Sequence, residues 1–209
     1  MGQFKFQVLE MKCSTPQEWL RRWSKRYDEE ESKKYVEEYK YLIAHYKSYC
    51  ADDFRRIGKW KDSVTTMDRW KQDVASVAYL IWEHSAATLP TCPDDAGTAA
   101  FLDQWANLTY TDTFKAGPRK KRFGLSRATT LLHFLSGGLY PIFDSRVKTG
   151  LARLCGGREL EDDVSTYLTS CVPLVRQLAR QCGTDDIRLI DKALFSYGAM
   201  DKRAFISAD

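Results

Sequence analysis

The stretch from Phe123 to Leu151 reads FGLSRATTLLHFLSGGLYPIFDSRVKTGL, and the organisation of the chain turns on it. Phe123-Gly124 makes a tight turn, where glycine tolerates backbone angles that a side chain resists. Ser126 to Leu135 follows as an apolar helix. Ser136-Gly137-Gly138 ends it. Leu139-Tyr140-Pro141-Ile142-Phe143 is then an extended apolar connector, because Pro141 disfavours helix at Tyr140. Asp144 stands at the N-cap of a further helix expected over Ser145 to Leu154. A carboxylate there accepts backbone N–H bonds and feels the positive end of the helix dipole, so it is expected to stay ionised at neutral pH.

Charge is concentrated around this stretch. Residues 115 to 158 hold ten Lys or Arg and one carboxylate, Asp144. The local balance is +9 in a chain whose total is +4, so the remainder sums to −5. A basic segment of this kind points to a polyanion, most simply nucleic acid. Its lone acid is either an ordinary helix cap or a carboxylate placed where positive charge develops beside a phosphate backbone.

Outward from this segment the periodicity is helical. Thr15, Pro16 and Glu18 form a capping box with proline at the first helical position, ahead of Trp19, Leu20 and Trp23. Asp28 to Tyr49 has acids early and bases later, which suits one dipole-matched helix. Its Tyr35, Tyr39, Leu42 and Tyr46 share a face. That face is a packing surface in preference to a base-stacking stripe. Helices are also expected at Thr65 to His84, Thr98 to Ala106, Asp162 to Gln181 and Asp185 to Tyr197. Thr109 to Lys121 is polar and basic, contains Gly117-Pro118, and should be exposed. Phe4, Phe6 and Val8 alternate with polar residues, which allows a short strand. There is no internal repeat and no long linker.

Composition bounds the class. A chain of 209 residues with 44% apolar and 13% aromatic residues buries a proper core. Its apolar runs are too short to span a membrane, and the N-terminus carries no pattern of a secretion signal. The Met-Gly start lacks Ser or Thr at position 6, where Phe6 stands, so myristoylation is discounted. The six cysteines form no CxxC pair and no compact cluster, which argues against structural zinc or an iron–sulfur centre. Reduced, mostly buried thiols in a cytoplasmic protein are expected.

The order of turn, helix, connector and Asp resembles the helix-hairpin-helix DNA glycosylases. That family carries a hairpin of pattern LPGVGxKTA, a helix, and a connector ending in VDTHVxR. Asp144-Ser145-Arg146-Val147 falls on DTHV, Gly124 on the second hairpin glycine and Ala128 on the final alanine. The resemblance spans residues 115 to 155. It implies an all-α, bilobed helical bundle formed by residues 1–209 as one domain, with a helix-hairpin-helix-like DNA-binding element. It implies a bacterial enzyme, of a type that includes phage-defence proteins, acting as a monomer on double-stranded DNA without metal or cofactor. Asp144 is then the catalytic carboxylate. Arg119, Lys120, Lys121, Arg122, Gly124, Ser126, Arg127, Arg146 and Lys148 are the DNA-binding set. Gly124 would bring backbone N–H groups to a phosphate at a helix start.

The departures from the pattern are informative. The first hairpin glycine falls on Arg122 and the hairpin proline on Lys121, unlike the sequence that builds the family's turn and monovalent-cation site. The lyase lysine falls on Ser126. A hydroxyl cannot form a Schiff base, so the implied enzyme is monofunctional and leaves an intact abasic site. Rival readings stand beside these. Asp144 also serves as a plain N-cap, Lys120 to Arg122 as a solvated loop, and His133 as a buried hydrogen-bonded histidine. The whole chain also reads as a non-catalytic helical nucleic-acid-binding protein. A small nuclease or toxin is disfavoured, since no metal-binding acid cluster adjoins the basic segment.

Overall fold

A computed structural model describes Cys13 and residues 15–31, 33–62, 79, 80, 83, 96–112 and 119–200. These residues are almost entirely helical, with one pair of short strands. In chain order they form α1 (Pro16–Glu30), α2 (Lys33–Ala44), α3 (Ala51–Asp62), α4 (Ala96–Ala106), β1 (Thr109–Asp112) and β2 (Arg119–Arg122). Next come α5 (Leu125–Leu135), α6 (Ser145–Leu154), α7 (Val164–Thr166), α8 (Val172–Cys182) and α9 (Ile187–Ala199). A 3₁₀ turn at Tyr46–Ser48 and a π-helical turn at Tyr167–Cys171 complete the set. The chain divides into two compact units, residues 1–32 with 141–209, and residues 33–140. No described helix is long and apolar enough to cross a membrane. The expected strand at Phe4 to Val8 and most of the helix expected over Thr65 to His84 lie outside the described residues.

In the first unit, α9 packs against both α1 and α6. The capping box of α1 forms as its sequence requires, with the Glu18 N–H donating to Thr15 Oγ1 at 3.1 Å. Trp19, Trp23 and Tyr27 are buried one turn apart. Trp19 and Trp23 meet Tyr197, and Tyr27 meets Phe195, with ring centroids between 5.4 and 6.0 Å. Each such buried side chain contributes about 1.5–3 kcal/mol. The buried Arg188 donates to the Tyr27 hydroxyl at 2.7 Å, a bond that lowers the cost of burying its guanidinium. At the α6–α9 crossing the backbones nearly touch. A Cβ on Gly150 would lie 2.5 Å from Leu194 O, and one on Gly198 would overlap the Arg146 carbonyl oxygen.

In the second unit, α2, α3 and α5 surround Trp60. Tyr35 stacks on its ring at 4.7 Å and Phe134 meets it edge-on at 4.9 Å. Tyr39 packs on the same indole, and Leu42 is fully buried. The aromatic face of α2 is therefore a packing surface, as its spacing suggests. Arg56 grips Glu38 through two bonds of 2.5 and 3.0 Å and lies 3.7 Å over the Tyr41 ring.

Four expectations are corrected. The segment from Asp28 to Tyr49 is not one helix: α1 ends at Glu30, Glu31 is extended, and α2 begins at Lys33. Asp28, Glu29 and Glu30 thus crowd the negative end of α1, where carboxylates oppose the dipole and favour termination. Residues 51–62, given no element from sequence, form α3, whose Phe54, Ile57 and Trp60 are buried at three-residue spacing. Lys120, Lys121 and Arg122 are exposed as expected, but they belong to an antiparallel strand pair, with Lys121 opposite Tyr110 and Arg122 opposite Thr109. Finally, Asp162 to Gln181 is not a uniform α-helix. The Val172 N–H reaches Tyr167 O five residues back, just ahead of Pro173. A proline ring clashes with the carbonyl four residues earlier, and the wider turn relieves that clash.

Candidate functional site

The residues singled out from sequence fall into two sets, one in each unit. The set at residues 119–127 is built around the entry to α5. Gly124 adopts φ +84°, ψ 157°, a conformation that only glycine takes without strain. This lets the chain leave β2 and start α5 at once. The Phe123 N–H donates to Leu108 O at 2.7 Å and the Gly124 N–H to Ala106 O at 3.0 Å. Those two N–H groups are therefore engaged within the protein. Arg127 is half-buried and donates to Phe123 O at 3.1 Å, so it braces this same turn. Ser126 is half-buried in the first turn of α5, and its carbonyl accepts from the Thr129 and Thr130 hydroxyls at 3.1 and 2.8 Å. Arg119 opens β2 opposite Asp112, and its side chain lies outside the described residues. Among the described side chains, the exposed cations of the set are Lys120, Lys121 and Arg122.

His133, on the same helix, is fully buried. Its Nδ1 lies 2.6 Å from Tyr140 O and its Nε2 lies 3.0 Å from the Tyr39 hydroxyl. A carbonyl only accepts, so Nδ1 carries the proton and a neutral ring takes the Tyr39 O–H at Nε2. The residue ties the end of α5 to α2, in keeping with the structural reading made from sequence.

The set at residues 144–148 opens α6. Asp144 has the extended angles of an N-cap, φ −104° and ψ 173°. Its Oδ1 accepts the Val147 N–H at 2.9 Å, and the side chain is half-buried. Arg146 is exposed, with its guanidinium 4.5 Å over the Phe195 ring. Nearby, burial raises the Glu31 carboxyl above its ordinary value, opposed by the positive charges of Arg188 and Arg146. Lys148 pairs with Asp162 at 3.0 Å and lies 5.3 Å from the Phe143 ring. Its charge already has a partner, and Arg146 is exposed.

The connector into Asp144 shows residues that sequence reasoning missed. Pro141, Ile142 and Phe143 are buried. The Tyr167 hydroxyl donates to Pro141 O at 2.8 Å, and the Ile142 N–H donates to Asp191 Oδ2 at 3.0 Å. Asp191 is 1% exposed. A carboxylate so deeply placed is a stronger signal than any local motif, but it sits 49 residues from its partner and no periodicity links them.

Compared with protein-family models, curated proteins and solved structures, the chain matches none. Exposed cations on a strand pair offer contacts to phosphates.

Proposed function

We propose that the protein is a monofunctional DNA glycosylase, acting as a monomer on double-stranded DNA. It hydrolyses the N-glycosidic bond of a flipped, modified or damaged base and leaves an abasic site. The observation that carries this reading is Asp144, half-buried and held by the first turn of α6, the one carboxylate of the basic segment. As the bond from C1′ to the base nitrogen lengthens, positive charge builds on the deoxyribose, and the Asp144 carboxylate stabilises it or orients the attacking water. Water supplies the hydroxyl to C1′, and its proton balances the departing base. The base must first leave the stack, so the backbone has to be clamped. Lys120, Lys121 and Arg122 serve as that clamp in this reading, and Arg146 contacts a flanking phosphate. Gly124, Ser126 and Arg127 shape the turn behind the clamp. The helix-hairpin-helix-like element is thus an altered one, in which a strand pair delivers the basic run to the turn.

The second reading is a non-catalytic helical nucleic-acid-binding protein on the same scaffold. Arg122 and Lys121 at the hairpin glycine and proline positions favour it, and the cap bond to Val147 alone accounts for an Asp at position 144. A panel of duplexes separates the two. It should carry alkylated, oxidised, and enlarged or hypermodified bases, the last as found in phage DNA. Strand breaks that appear only after alkali or an abasic-site endonuclease are expected on at least one duplex. Tight binding with intact sugars across the panel would establish the second reading.

Borohydride added during turnover should trap no protein–DNA adduct, because Ser126 occupies the position where an imine-forming lysine would act. A covalent adduct would show that an amine attacks the sugar and that the enzyme is bifunctional. Replacing Lys120, Lys121 and Arg122 together by glutamine should weaken binding equally for all sequences. The log–log salt slope should flatten by about 0.9 for each phosphate that is no longer neutralised. An unchanged slope would mean that the strand pair faces solvent in the complex.

A further inference from the structure

We infer that Asp191 and Tyr167 are positioning residues for Asp144, acting through the connector that precedes it. The inference rests on the reading of Asp144 as the catalytic carboxylate, and the geometry is local to one unit. Pro141 makes the connector extended, so its peptide groups find no helix or strand partners and must be satisfied otherwise. The Pro141 carbonyl takes the Tyr167 hydroxyl and the Ile142 N–H takes the Asp191 carboxylate. Phe143, fully buried, packs on the Tyr167 ring at 5.5 Å. The next residue is Asp144. The Pro141–Ile142 peptide group, two peptide units before the one that ends at the Asp144 nitrogen, is thus fixed at both its carbonyl and its N–H by side chains that are 0% and 1% exposed.

A carboxylate is an expensive group to bury, since an amide or hydroxyl would accept the same backbone N–H bond at a smaller desolvation cost. What it adds is a shorter, stiffer, charge-assisted bond. Burial together with the Asp191 charge raises the Cys171 thiol well above its ordinary value, consistent with a low-polarity setting around both. Tyr167 opens the π turn, and Cys171 closes it. Wide turns of this kind recur where a helix must present a side chain off its regular phase. Asp144 is held from the other side by its bond to Val147 N–H. Loosening the connector should therefore loosen that bond before it affects the rest of α6.

The test uses the full chain, isotopically labelled, with Tyr167→Phe, Asp191→Leu and Asp191→Asn. The Val147 N–H stands in the first turn of α6, where the helix offers no carbonyl, so its exchange protection reports the Asp144 bond. Tyr167→Phe and Asp191→Leu should lower Val147 protection about tenfold relative to Leu151, one turn on. Asp191→Asn keeps an acceptor for Ile142 and should restore most of it. On any duplex from which the wild type releases a base, Tyr167→Phe should slow single-turnover release about tenfold with DNA affinity unchanged. If Val147 and Leu151 lose protection together, or neither does, the positioning role is wrong. If the base is released at the wild-type rate by Tyr167→Phe, positioning also fails while the glycosylase reading stands. Selective loss at Val147 in a protein that releases no base would support positioning and defeat the glycosylase reading.

Discussion

Asp144→Asn is expected to lower base release by about 10²–10³-fold while the fold and DNA affinity are retained. The substitution is informative because the amide keeps the structural half of the role. Asparagine caps helices about as well as aspartate, and its Oδ1 accepts the Val147 N–H as Asp144 Oδ1 does at 2.9 Å. What disappears is the negative charge that, in the proposed mechanism, stabilises the developing oxocarbenium ion. Affinity should stay level or rise slightly, since one charge that repels phosphate has gone. Single-turnover release and equilibrium binding, measured on the same duplex, check both halves. Release near the wild-type rate would remove Asp144 from the chemistry. A fall in thermal stability together with activity would return it to the role of a plain cap.

The largest effect on stability is expected at the α6–α9 crossing. Gly198→Ala should destabilise the protein by about 3 kcal/mol, which lowers the melting temperature by about 6–12 °C. The added methyl group would overlap the Arg146 carbonyl and lie 3.0 Å from the Gly150 nitrogen, and both are backbone atoms. A flexible side chain could swing aside, whereas a helix backbone moves only as a unit. Relief therefore requires α6 to shift, and Asp144 with it, so activity should fall further than the loss of folded protein explains. Calorimetry measures the first effect, and release by the fraction remaining folded measures the second. An unchanged melting temperature would mean that the two helices pack with more room than their glycines indicate.

Much of this was legible where the determinants are local. Thr15 with Glu18, Asp144 as an N-cap, and the apolar helix expected over Ser126 to Leu135 each rest on bonds or faces within a few residues, and the structure carries them, the helix starting one residue earlier at Leu125. His133 was recognisable as a structural residue because it lies on an apolar helix. The acids at Asp28 to Glu30 misled because carboxylates favour the start of a helix, whereas here they stand at the C-terminal end of α1. Residues 51–62 were overlooked because five Asp, Arg or Lys side chains surround Phe54, Ile57 and Trp60 within the first ten of them. Pro173 was visible, but it was absorbed into an apolar pattern that ignored its missing N–H. Asp191 could not have been found in this way. Its role depends on Ile142, and only the folded chain brings the two together.

The π turn at Tyr167–Cys171 bears on how such a chain can change over time. Deleting one of residues 168–170 would rejoin α7 and α8 as ordinary helix. It would also rotate Tyr167 by about 100° about the axis and so away from the Pro141 carbonyl. The same deletion would return Pro173 to a position where its ring strikes a carbonyl. Length in this segment is therefore constrained from two directions, although its middle residues Leu168, Thr169 and Ser170 are not buried. Chains descended from a common ancestor should differ here by exchange of side chains and hardly ever by a gain or loss of one residue.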